Sequence, residues 1–400
     1  MQMGMTLSSK ITEAMERGSW VRKMFEDGKK LKDEYGVENV FDFSLGNPIV
    51  DPPAAFQAAL KEVVDEPVAG KHGYIPNQGL PAARAKVAEY LSGRYAAEFA
   101  LERIVMTVGA GGGLNVVFKS ILDPGDEVVL LTPFFMEYIS YVENHLGAPV
   151  MVPLADDFSL DLGAIEQALT AKTRAILINT PNNPTGTLLS QDDLDGLGRV
   201  LRAAEEKYGT SIYLVYDDPY GQLLYDAPLP DPFKAYGRTV FASSFSKDLG
   251  IAGERLGYLA LDTNVEDGDL LTATFVFANR TLGFVNAPNL MQRVIAKLDT
   301  LEVELPEYRM RRDLMVEILR EAGYDFVTPQ GGFFIFPKSP IPDDVAFVAQ
   351  VAKEHKLLLV PGTGFARPGY FRLSYSVPVE QIERSRELFK KVLEQYRLQG

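Results

Sequence analysis

Short apolar runs alternate with longer, helix-like segments from about residue 103 onward, and this alternation constrains the fold more than any other feature of the chain. Five of the runs are rich in branched residues: "RIVMTV", "EVVLLT", "TRAILINT", "SIYLVYD" and "TVFASS". Runs of this kind are typical of parallel strands that are covered on both faces. Because ligands bind at the carboxyl ends of strands in open α/β sheets, we expect functional residues in the loops that follow these runs.

The pattern changes after about Thr300. The segment "VELPEYRMRRDLMVEILREAGY" predicts a helix, "GGFFIFPK" and "YFRLSYS" predict strands, and the last segment predicts an amphipathic helix. A chain of 400 residues also exceeds what one hydrophobic core usually organises. We therefore predict an α/β protein with a large domain, residues 54–300, whose mostly parallel sheet is covered by helices. A smaller α+β domain would consist of residues 1–53 together with 301–400.

The charge balance argues against several classes of partner. The formal net charge is −14 at pH 7, whereas phosphate backbones and anionic membranes attract a basic surface, so we expect neither a nucleic-acid nor a membrane partner. Cysteine is absent, which excludes disulfides and cysteine nucleophiles and fits a reducing, cytoplasmic location. The three histidines share no metal-ligand spacing, and no stretch approaches the length needed to span a bilayer, so neither a metal site nor a membrane span is expected.

One lysine stands just after the strand-like run "TVFASS". In the segment "SSFSKDLGIAGERLGY", Lys247 is preceded by Ser244 and followed by Arg255. A single lysine in a loop is most often a surface residue, and Lys247 alone decides nothing. The hydroxyl of Ser244 and the guanidinium of Arg255 would, however, supply donors for a dianionic phosphate close to the lysine.

A glycine-rich stretch offers further phosphate donors. The segment "TVGAGGGLNVVFKSIL" runs from a strand into a helix, and we expect its glycines to form a loop that the helix N-terminus follows. Glycines allow close backbone approach, and the first turn of a helix has unpaired N–H groups. The stretch could instead be a plain tight turn. A nicotinamide dehydrogenase is disfavoured because Leu114 takes the place of the third glycine in the G-x-G-x-x-G pattern.

A carboxylate follows another very apolar run. In "YDDPYGQLLY", Asp217 ends the run "SIYLVY", where a buried carboxylate is costly unless a cation or a strong donor meets it. Tyr220 would present a phenol from the same turn. The segment "TPNNPTGT" places Asn183 after a neighbouring run, although proline-bracketed turns of this composition occur in many proteins.

These residue types match the requirements of one cofactor. Pyridoxal phosphate needs a lysine for a Schiff base, an acid for its ring nitrogen, donors for its phosphate and hydrogen-bonding groups at its phenolic oxygen. Across nearly its whole length, the chain resembles the class I/II aminotransferases of fold type I, in particular the aspartate aminotransferase-like group. The motifs that carry the resemblance occur in the family's order: "SLGNP", "HGYIPNQGLPAAR", "TVGAGGGLN", "DPGDEVVLLTPFF", "NTPNNPTG", "DDPYGQLLY", "SSFSKDLGIAGERLGY" and "PGYFRLSYS".

The resemblance implies a role for each candidate residue. The catalytic residues that it implies are Lys247 as Schiff-base lysine, Asp217 at the pyridinium nitrogen and Tyr220. The other cofactor contacts that it implies are Asn183 and Tyr220 at the phenolic oxygen, Ser244, Arg255 and the backbone of Ala110 and Gly111 at the phosphate, Phe135 stacked on the ring, and Tyr74 at the phosphate of the neighbouring subunit in a homodimer. The substrate contacts that it implies are Gly46 of "SLGNP", Asn183 and Arg372, which would grip the α-carboxylate.

The chain departs from the family pattern at two positions, and the sequence also allows a local prediction for Arg372 and one for Lys247. The glycine-rich stretch lacks the Ser or Thr that the family often has there, and Phe135 replaces the family's Trp or Tyr. Alternation along "YFRLSYS" places Arg372 on the opposite face from Leu373, so its side chain can enter the cleft, although an ion pair on an exposed edge strand is the alternative. We expect burial and cationic neighbours to lower the pKa of Lys247 from about 10.4.

The expected activity is transfer of an amino group from an L-amino acid to a 2-oxo acid such as 2-oxoglutarate. Aspartate and glutamate are the expected donors, because Arg280 lies close to where the family carries an arginine for the distal carboxylate from the partner chain. Arg280 could equally pair with an acid at the dimer interface. A pocket of Phe135, Tyr141, Phe277 and Phe284 for aromatic or large apolar side chains is an alternative.

Other activities stay open to different degrees. A pyridoxal-phosphate-dependent lyase or decarboxylase could use the same site, because the fold and the cofactor do not decide which bond breaks. A ligand-sensing domain fused to a DNA-binding arm is disfavoured, because the first 40 residues are too few for that arm and the chain is acidic.

Overall fold

Seven strands form the main sheet, and all but one of them are parallel. The computed structural model describes residues 7–17 and 20–398. The strands in these ranges are β1 (Phe41–Asp42), β2 (Ile104–Thr107), β3 (Glu127–Thr132), β4 (Ala148–Pro153), β5 (Thr173–Asn179), β6 (Tyr213–Asp217), β7 (Thr239–Ser244), β8 (Gly257–Ala260), β9 (Phe334–Ile335), β10 (Leu357–Leu358), β11 (Val360–Pro361) and β12 (Phe371–Ser374). The main sheet has the order β2-β8-β7-β6-β5-β3-β4, in which β8 runs antiparallel to both neighbours.

Helices cover both faces of this sheet. The helices are α1 (Ser9–Arg17), α2 (Trp20–Tyr35), α3 (Ala54–Asp65), α4 (Pro81–Arg94), α5 (Gly109–Ile121), α6 (Glu137–Glu143), α7 (Leu162–Ala168), α8 (Gln191–Tyr208), α9 (Pro232–Ala235), α10 (Gly268–Thr281), α11 (Asn289–Lys297), α12 (Pro306–Ala322), α13 (Asp344–His355), α14 (Val379–Arg384) and α15 (Arg386–Arg397). Within the described ranges, none of them is both long enough and apolar enough to cross a membrane.

Alternate residues of the central strands enter two separate cores. Leu214 and Tyr216 of β6 belong to a core that α3, α4 and α8 also build, whereas Val215 belongs to a second core with α5 and α10. Both faces of the strand are therefore buried, which explains why the run is apolar throughout instead of alternating. The prediction of parallel strands covered on both faces is confirmed for β3, β5, β6 and β7, whereas β2 is buried but pairs only with the antiparallel strand β8.

A smaller group of strands is built from the two ends of the chain. Strands β11, β12 and β9 form an antiparallel sheet in that order, and β1 pairs in parallel with β10. The pairing of β1 with β10 links the N-terminal segment to the last part of the chain. It supports the domain division that we propose, with residues 54–300 in the large domain and residues 1–53 with 301–400 in the small one.

Two strands of the main sheet are absent from the sequence-based expectation. β4 lies at the edge of the sheet, contains Pro149 and Pro153, and exposes Met151, so it lacks the apolar run of a central strand. β8 has only four residues. It follows Arg255, whose φ of 55° turns the chain sharply before the strand begins.

The prediction of a glycine loop ahead of the helix is wrong in one respect. α5 begins at Gly109 itself, so the glycines form its first turns instead of a preceding loop. The residue before the helix, Val108, provides no side-chain cap. The first N–H groups of α5 therefore have no capping side chain at its N-terminus.

Candidate active site

The carboxyl ends of the parallel strands meet at one edge of the main sheet. Asn179 ends β5, Asp217 ends β6 and Ser244 ends β7, and these three strands are neighbours. The three side chains line a cavity of about 380 Å³, to which the small antiparallel sheet contributes Arg372. Candidate residues at the carboxyl ends of the strands and in the loops that follow them therefore line one common cavity, as expected.

All but two of the candidate residues line this cavity. Those that line it are Lys247, Asp217, Tyr220, Asn183, Ser244, Arg255, Ala110, Gly111, Phe135, Arg372 and Gly46. The two exceptions are Tyr74 and Arg280, whose side chains are exposed on the surface of the chain.

Lys247 lies partly buried in the cavity instead of on an exposed loop. Its Nζ donates a hydrogen bond of 2.7 Å to the carbonyl oxygen of Gly46 and lies 5.5 Å from the centre of the Phe333 ring. Burial, together with the positive charges of Arg372 and Arg255, lowers the pKa of Lys247 to about 8. The expected lowering is confirmed, so more of the amine is uncharged near neutral pH than in an exposed lysine.

Asp217 is 4% exposed, and its two carboxylate oxygens have different surroundings. Oδ2 accepts a hydrogen bond from the hydroxyl of Tyr138, whereas Oδ1 is buried with no hydrogen-bond partner in the described part of the chain. Burial and the negative charge of Asp218 raise the pKa of Asp217, and the hydrogen bond from Tyr138 opposes them; the resulting pKa is about 7. One oxygen is therefore held in place, and the other is left for a cationic group.

Tyr138 is a site residue that sequence reasoning did not single out. It lies on α6, three residues after Phe135. Its ring centre is 6.3 Å from that of Phe134 in a stacked arrangement and 5.7 Å from that of Phe135 in an edge-on arrangement. The available signal was the spacing of Tyr138 and Tyr141, which puts both on the same face of a helix.

Arg372 is 3% exposed and lies between two aromatic rings, 4.4 Å from the centre of Phe334 and 4.8 Å from that of Phe365. Nη1 donates to Oδ1 of Asn183 at 2.9 Å and Nη2 donates to the carbonyl oxygen of Ser44 at 2.7 Å, while the buried Nε has no partner among the described residues. Because β12 is the central strand of its sheet, the alternative of an ion pair on an exposed edge strand is wrong. The guanidinium is instead available to a carboxylate in the cavity.

Asn183 and Tyr220 bring two neutral polar groups to the same cavity. The backbone N–H of Asn183 donates to Oδ1 of Asn179 at 2.8 Å, which fixes the turn after β5. The ring of Tyr220 meets the rings of Phe333 and Phe334 edge-on, with centres 5.4 Å and 5.9 Å away. Burial raises the pKa of Tyr220 above its usual value, so its hydroxyl stays protonated and can donate a hydrogen bond.

One end of the cavity is lined by donors suited to an anion. Gly109 has a φ of 68°, and a Cβ atom at this position would lie 2.6 Å from Nη2 of Arg255. Glycine is therefore required there both by the backbone conformation and by the close approach of the guanidinium. The other residues at this end are Ala110, Gly111 and Ser244.

Tyr74 and Arg280 belong to one hydrogen-bonded region of the surface. Tyr74 is 92% exposed, and the carbonyl oxygen of Asn77 in the same loop accepts a hydrogen bond of 3.2 Å from the side chain of Asn279. Asn279 precedes Arg280 on α10, and the guanidinium of Arg280 lies 5.3 Å from the ring centre of Phe277. Neither Tyr74 nor Arg280 lines the cavity of its own chain.

The aromatic pocket considered from the sequence is only partly present in one chain. Phe135 and Tyr141 line the cavity. Phe277 is 59% exposed on α10, and Phe284 packs near Gly112 of α5 without lining the cavity. A closed pocket of all four rings is therefore not formed within a single chain.

The mostly parallel sheet, the smaller antiparallel sheet and the lysine, acid and arginine that meet between them are the features expected of an aminotransferase. The model of the family "Aminotransferase class I and II" matches residues 38–388, and the chain belongs to this family.

Three proteins illustrate the similarity. The chain is 30% identical to the probable aspartate aminotransferase of Methanocaldococcus jannaschii, over 90% of this chain and 94% of the relative. It is also 30% identical to aromatic-amino-acid aminotransferase 2 of Thermococcus litoralis, over 98% of this chain and 100% of the relative. The solved structure of an amino transferase from Eubacterium rectale is 35% identical, covers 98% of this chain and 100% of its own, and superposes with a TM-score of 0.94.

This family uses pyridoxal phosphate, and the cavity fits that cofactor in two respects. The buried, unpartnered Oδ1 of Asp217 offers an acceptor for a protonated ring nitrogen. At the other end, the guanidinium of Arg255 lies over Gly109, and α5 begins there without a side-chain cap, so a cation and uncapped backbone N–H groups are available to a phosphate.

Proposed function

We propose that this aminotransferase moves the amino group of an L-amino acid, preferably aspartate or glutamate, to a 2-oxo acid such as 2-oxoglutarate. The observation that carries the proposal is that three groups line one cavity: Lys247 with its lowered pKa, Asp217 with a free buried oxygen, and Arg372 with an unpartnered Nε. Amino-group transfer requires a proton acceptor, an acid at the cofactor ring and a cation for the substrate carboxylate.

The cofactor would be held by residues at both ends of the cavity. Lys247 would bind it covalently through Nζ, Oδ1 of Asp217 would accept from its ring nitrogen, and Asn183 and Tyr220 would donate to its phenolic oxygen. Its phosphate would be held by the residues at the donor-lined end, namely Ser244, Arg255 and the backbone N–H groups of Ala110 and Gly111, with Phe135 against the ring. When bound, pyridoxal phosphate supplies a ring that accepts the electron pair left when the Cα–H bond breaks.

Arg372 would then bind the substrate and Lys247 would deprotonate it. The planar guanidinium of Arg372 holds the α-carboxylate and thereby fixes which bond at Cα points toward Lys247. Nζ of Lys247 takes the proton from Cα, because an amine with a pKa of about 8 is a competent base near neutral pH. Gly46, whose carbonyl oxygen holds Nζ, lies beside this path and would contact the substrate.

A dicarboxylate needs a second cation, and the described residues do not offer a spare one in the cavity of their own chain. The cations among the lining residues are Lys247, Arg255 and Arg372, and each already has a role in the proposal. A second copy of the chain would supply Arg280 to the distal carboxylate and Tyr74 to the cofactor phosphate. Two hydrogen bonds support this homodimer, because they hold the Tyr74 loop beside α10 and α11: Asn279 of α10 donates to the carbonyl oxygen of Asn77, and Asn289 of α11 donates to that of Gly73.

Aromatic amino acids are the second candidate substrates. Phe135 and Tyr141 line the cavity, and one of the relatives is an aromatic-amino-acid aminotransferase. Phe277 is exposed on the same surface as Arg280, so a partner chain could bring its ring to the cavity together with the guanidinium.

A half-reaction without an oxo acid tests the proposed activity. Protein loaded with pyridoxal phosphate is mixed with aspartate, glutamate, phenylalanine or alanine, and pyridoxamine phosphate and oxo acid are quantified. We expect one equivalent of each per site, with aspartate and glutamate reacting fastest. Continuous release of carbon dioxide or ammonia with the cofactor unchanged would instead identify a decarboxylase or a lyase.

The shared site is tested by dilution. Tyr74→Phe should weaken cofactor retention in the dimer, because a phosphate would lose one donor. Sedimentation combined with activity measurements should show activity only where dimers persist. Fully active monomers at low protein concentration would contradict the homodimer.

A further inference from the structure

The first turn of α5 has no hydroxyl side chain of its own. Its first three residues are Gly109, Ala110 and Gly111, and side chains from elsewhere fill the space above the two glycines. A Cβ atom on Gly109 would lie 2.6 Å from Nη2 of Arg255, and a Cβ atom on Gly111 would lie 2.9 Å from the hydroxyl oxygen of Tyr141. Since Cβ atoms essentially never approach other atoms closer than 3.0 Å, glycine at position 111 is what admits the Tyr141 hydroxyl.

The hydroxyl of Tyr141 is a free donor beside this turn. Tyr141 lies on α6 three residues after Tyr138, and both side chains line the cavity. Within residues 7–17 and 20–398, the Tyr141 hydroxyl makes no hydrogen bond. Burial raises the pKa of Tyr141 to about 12, and the negative charges of Glu137 and Asp217 raise it as well, so the hydroxyl keeps its proton near neutral pH.

We propose that Tyr141 is a cofactor-binding residue whose hydroxyl donates a hydrogen bond to a phosphate oxygen of the cofactor. Its oxygen lies 2.9 Å from the position that the Cβ of a larger residue 111 would take, close enough to replace the Ser or Thr hydroxyl that the glycine-rich turn lacks. Arg255 reaches the same turn over Gly109, so the two donors bracket the exposed N–H groups. The inference rests on the proposed function, which puts the phosphate at this turn.

The contribution of this donor should be substantial. A hydrogen bond to a charged acceptor contributes more than one between neutral groups, because the acceptor carries a full charge. Loss of the hydroxyl leaves the phosphate with the backbone donors, Ser244 and Arg255. We therefore expect Tyr141→Phe to weaken cofactor binding by about tenfold or more without removing it.

The first experiment compares a ligand that has the phosphate with one that lacks it. Cofactor-free protein is titrated with pyridoxal phosphate and with pyridoxal, and the dissociation constants are measured. Tyr141→Phe should raise the constant for pyridoxal phosphate about tenfold and leave that for pyridoxal unchanged. Tyr208→Phe, at the far end of α8, is the matched control and should change neither. An equal loss for both ligands, or no loss, would overturn the proposal.

A rescue variant tests the position of the hydroxyl. Gly111 does not have a positive φ, so the backbone accepts another residue there. Once the Tyr141 hydroxyl is removed, the nearest ring atom, Cζ, is 3.5 Å from the Cβ position, which is an ordinary contact. The double variant Tyr141→Phe with Gly111→Thr should regain most of the lost affinity for pyridoxal phosphate. Gly111→Thr alone should bind no better than the parent, because its Cβ meets the tyrosine hydroxyl. Failure of the rescue would contradict the proposal.

Two further variants separate this inference from the proposed function. If the phosphate lies at this turn, Arg255→Gln and Ser244→Ala should each weaken the binding of pyridoxal phosphate but not the binding of pyridoxal. If both leave the affinity unchanged, the proposed position of the phosphate fails. If both weaken it while Tyr141→Phe does not, only the role of Tyr141 fails. A Tyr141→Phe protein that binds pyridoxal phosphate normally but has a raised KM for amino acids would make Tyr141 a substrate contact instead.

Discussion

The cavity at the sheet edge and the surface around Tyr74 and Arg280 are built in opposite ways. In the cavity, Asp217 and Arg372 are 4% and 3% exposed, and each has one hydrogen-bonded atom and one atom without a partner among the residues that the structure describes. On the surface, Tyr74 is 92% exposed, and Arg280 lies over the ring of Phe277, which is 59% exposed. Burial fixes the first group of side chains within one chain, whereas nothing comparable encloses the second.

Because of this difference, substitutions in the cavity and substitutions on the surface should have different consequences for activity. Cavity residues are oriented before any ligand arrives, so their loss should affect every substrate alike. Surface residues would act only when a second copy covers them, so their loss should affect cofactor retention or one class of substrate. The variants below test that separation, beginning with the one expected to have the largest effect.

Replacement of the lysine should have the largest effect. Lys247→Ala should lower transamination of every amino acid by about a thousandfold or more, because the residue is both the attachment point and the base. The far-ultraviolet circular dichroism spectrum should be unchanged. Lys172→Ala, which removes an exposed lysine, is the control and should be fully active. Full activity of Lys247→Ala would remove the lysine from the mechanism.

The neighbouring aspartates provide the next comparison. Asp217→Asn should slow Cα deprotonation by about a hundredfold or more with the cofactor still bound, since an amide cannot stabilise a protonated ring nitrogen. Asp218 is equally buried but faces Tyr95, whose hydroxyl donates to it at 3.2 Å, and it does not line the cavity. Asp218→Asn should therefore change stability more than the half-reaction rate. Stopped-flow half-reactions that show the reverse order would contradict the assignment.

The surface arginine should affect only one substrate class. Arg280→Ala should lower the half-reaction efficiency for aspartate and glutamate by about tenfold to a hundredfold, because a buried distal carboxylate would lose its cation. Alanine and phenylalanine should react nearly as before. Arg199→Ala, on an exposed part of α8, is the control. Equal losses for all amino acids would indicate that Arg280 stabilises the protein or its interface instead.

The smallest expected effect concerns Tyr138 and has a defined pH dependence. In the cofactor-free protein, the pKa of Asp217 is raised to about 7, so the folded state binds a proton that the unfolded state releases, and stability falls as pH rises from about 4 to 7. Removal of the Tyr138 hydroxyl raises this pKa further, so the fall should continue above pH 7 in Tyr138→Phe.

Urea unfolding of cofactor-free parent and Tyr138→Phe at pH 6 and pH 9 measures this effect. At pH 6, Asp217 is mostly protonated in both proteins. At pH 9, it is ionised in the parent and lacks its donor in the variant, so the loss of stability should be larger by about 1 to 2 kcal/mol. An equal loss at both pH values would show that the hydrogen bond does not control the ionisation of Asp217.

The central strands of the main sheet could be predicted from the sequence, whereas β4 and β8 could not, and the difference has a physical reason. β5, β6 and β7 are apolar along their whole length because both faces are buried, and burial of that kind leaves a strong signal. β4 is a partly exposed edge strand with two prolines, and β8, although buried, has the sequence Gly-Tyr-Leu-Ala without a branched β-carbon, so neither has the run of branched apolar residues that marks the other strands.

The residues of the site also differ in how far the sequence could predict them. Residues that follow apolar runs, such as Asp217 and Lys247, could be singled out from the sequence because the carboxyl ends of the strands meet at one edge. Tyr138 could not, because its contact with Asp217 joins residues 79 positions apart and depends on how α6 packs over the sheet. The roles proposed for Tyr74 and Arg280 would depend on a second chain, and no pattern within one chain specifies that geometry.

The central claim is that Lys247 binds the cofactor in the cavity formed by the strand ends. Holoprotein is treated with borohydride, digested and mapped by mass spectrometry, and the visible absorbance is followed during the reduction. We expect loss of the visible band and one reduced pyridoxyl group per chain, attached to Lys247. A pyridoxyl group on any other lysine, or a chain that stays unmodified while its visible band persists, would contradict the account.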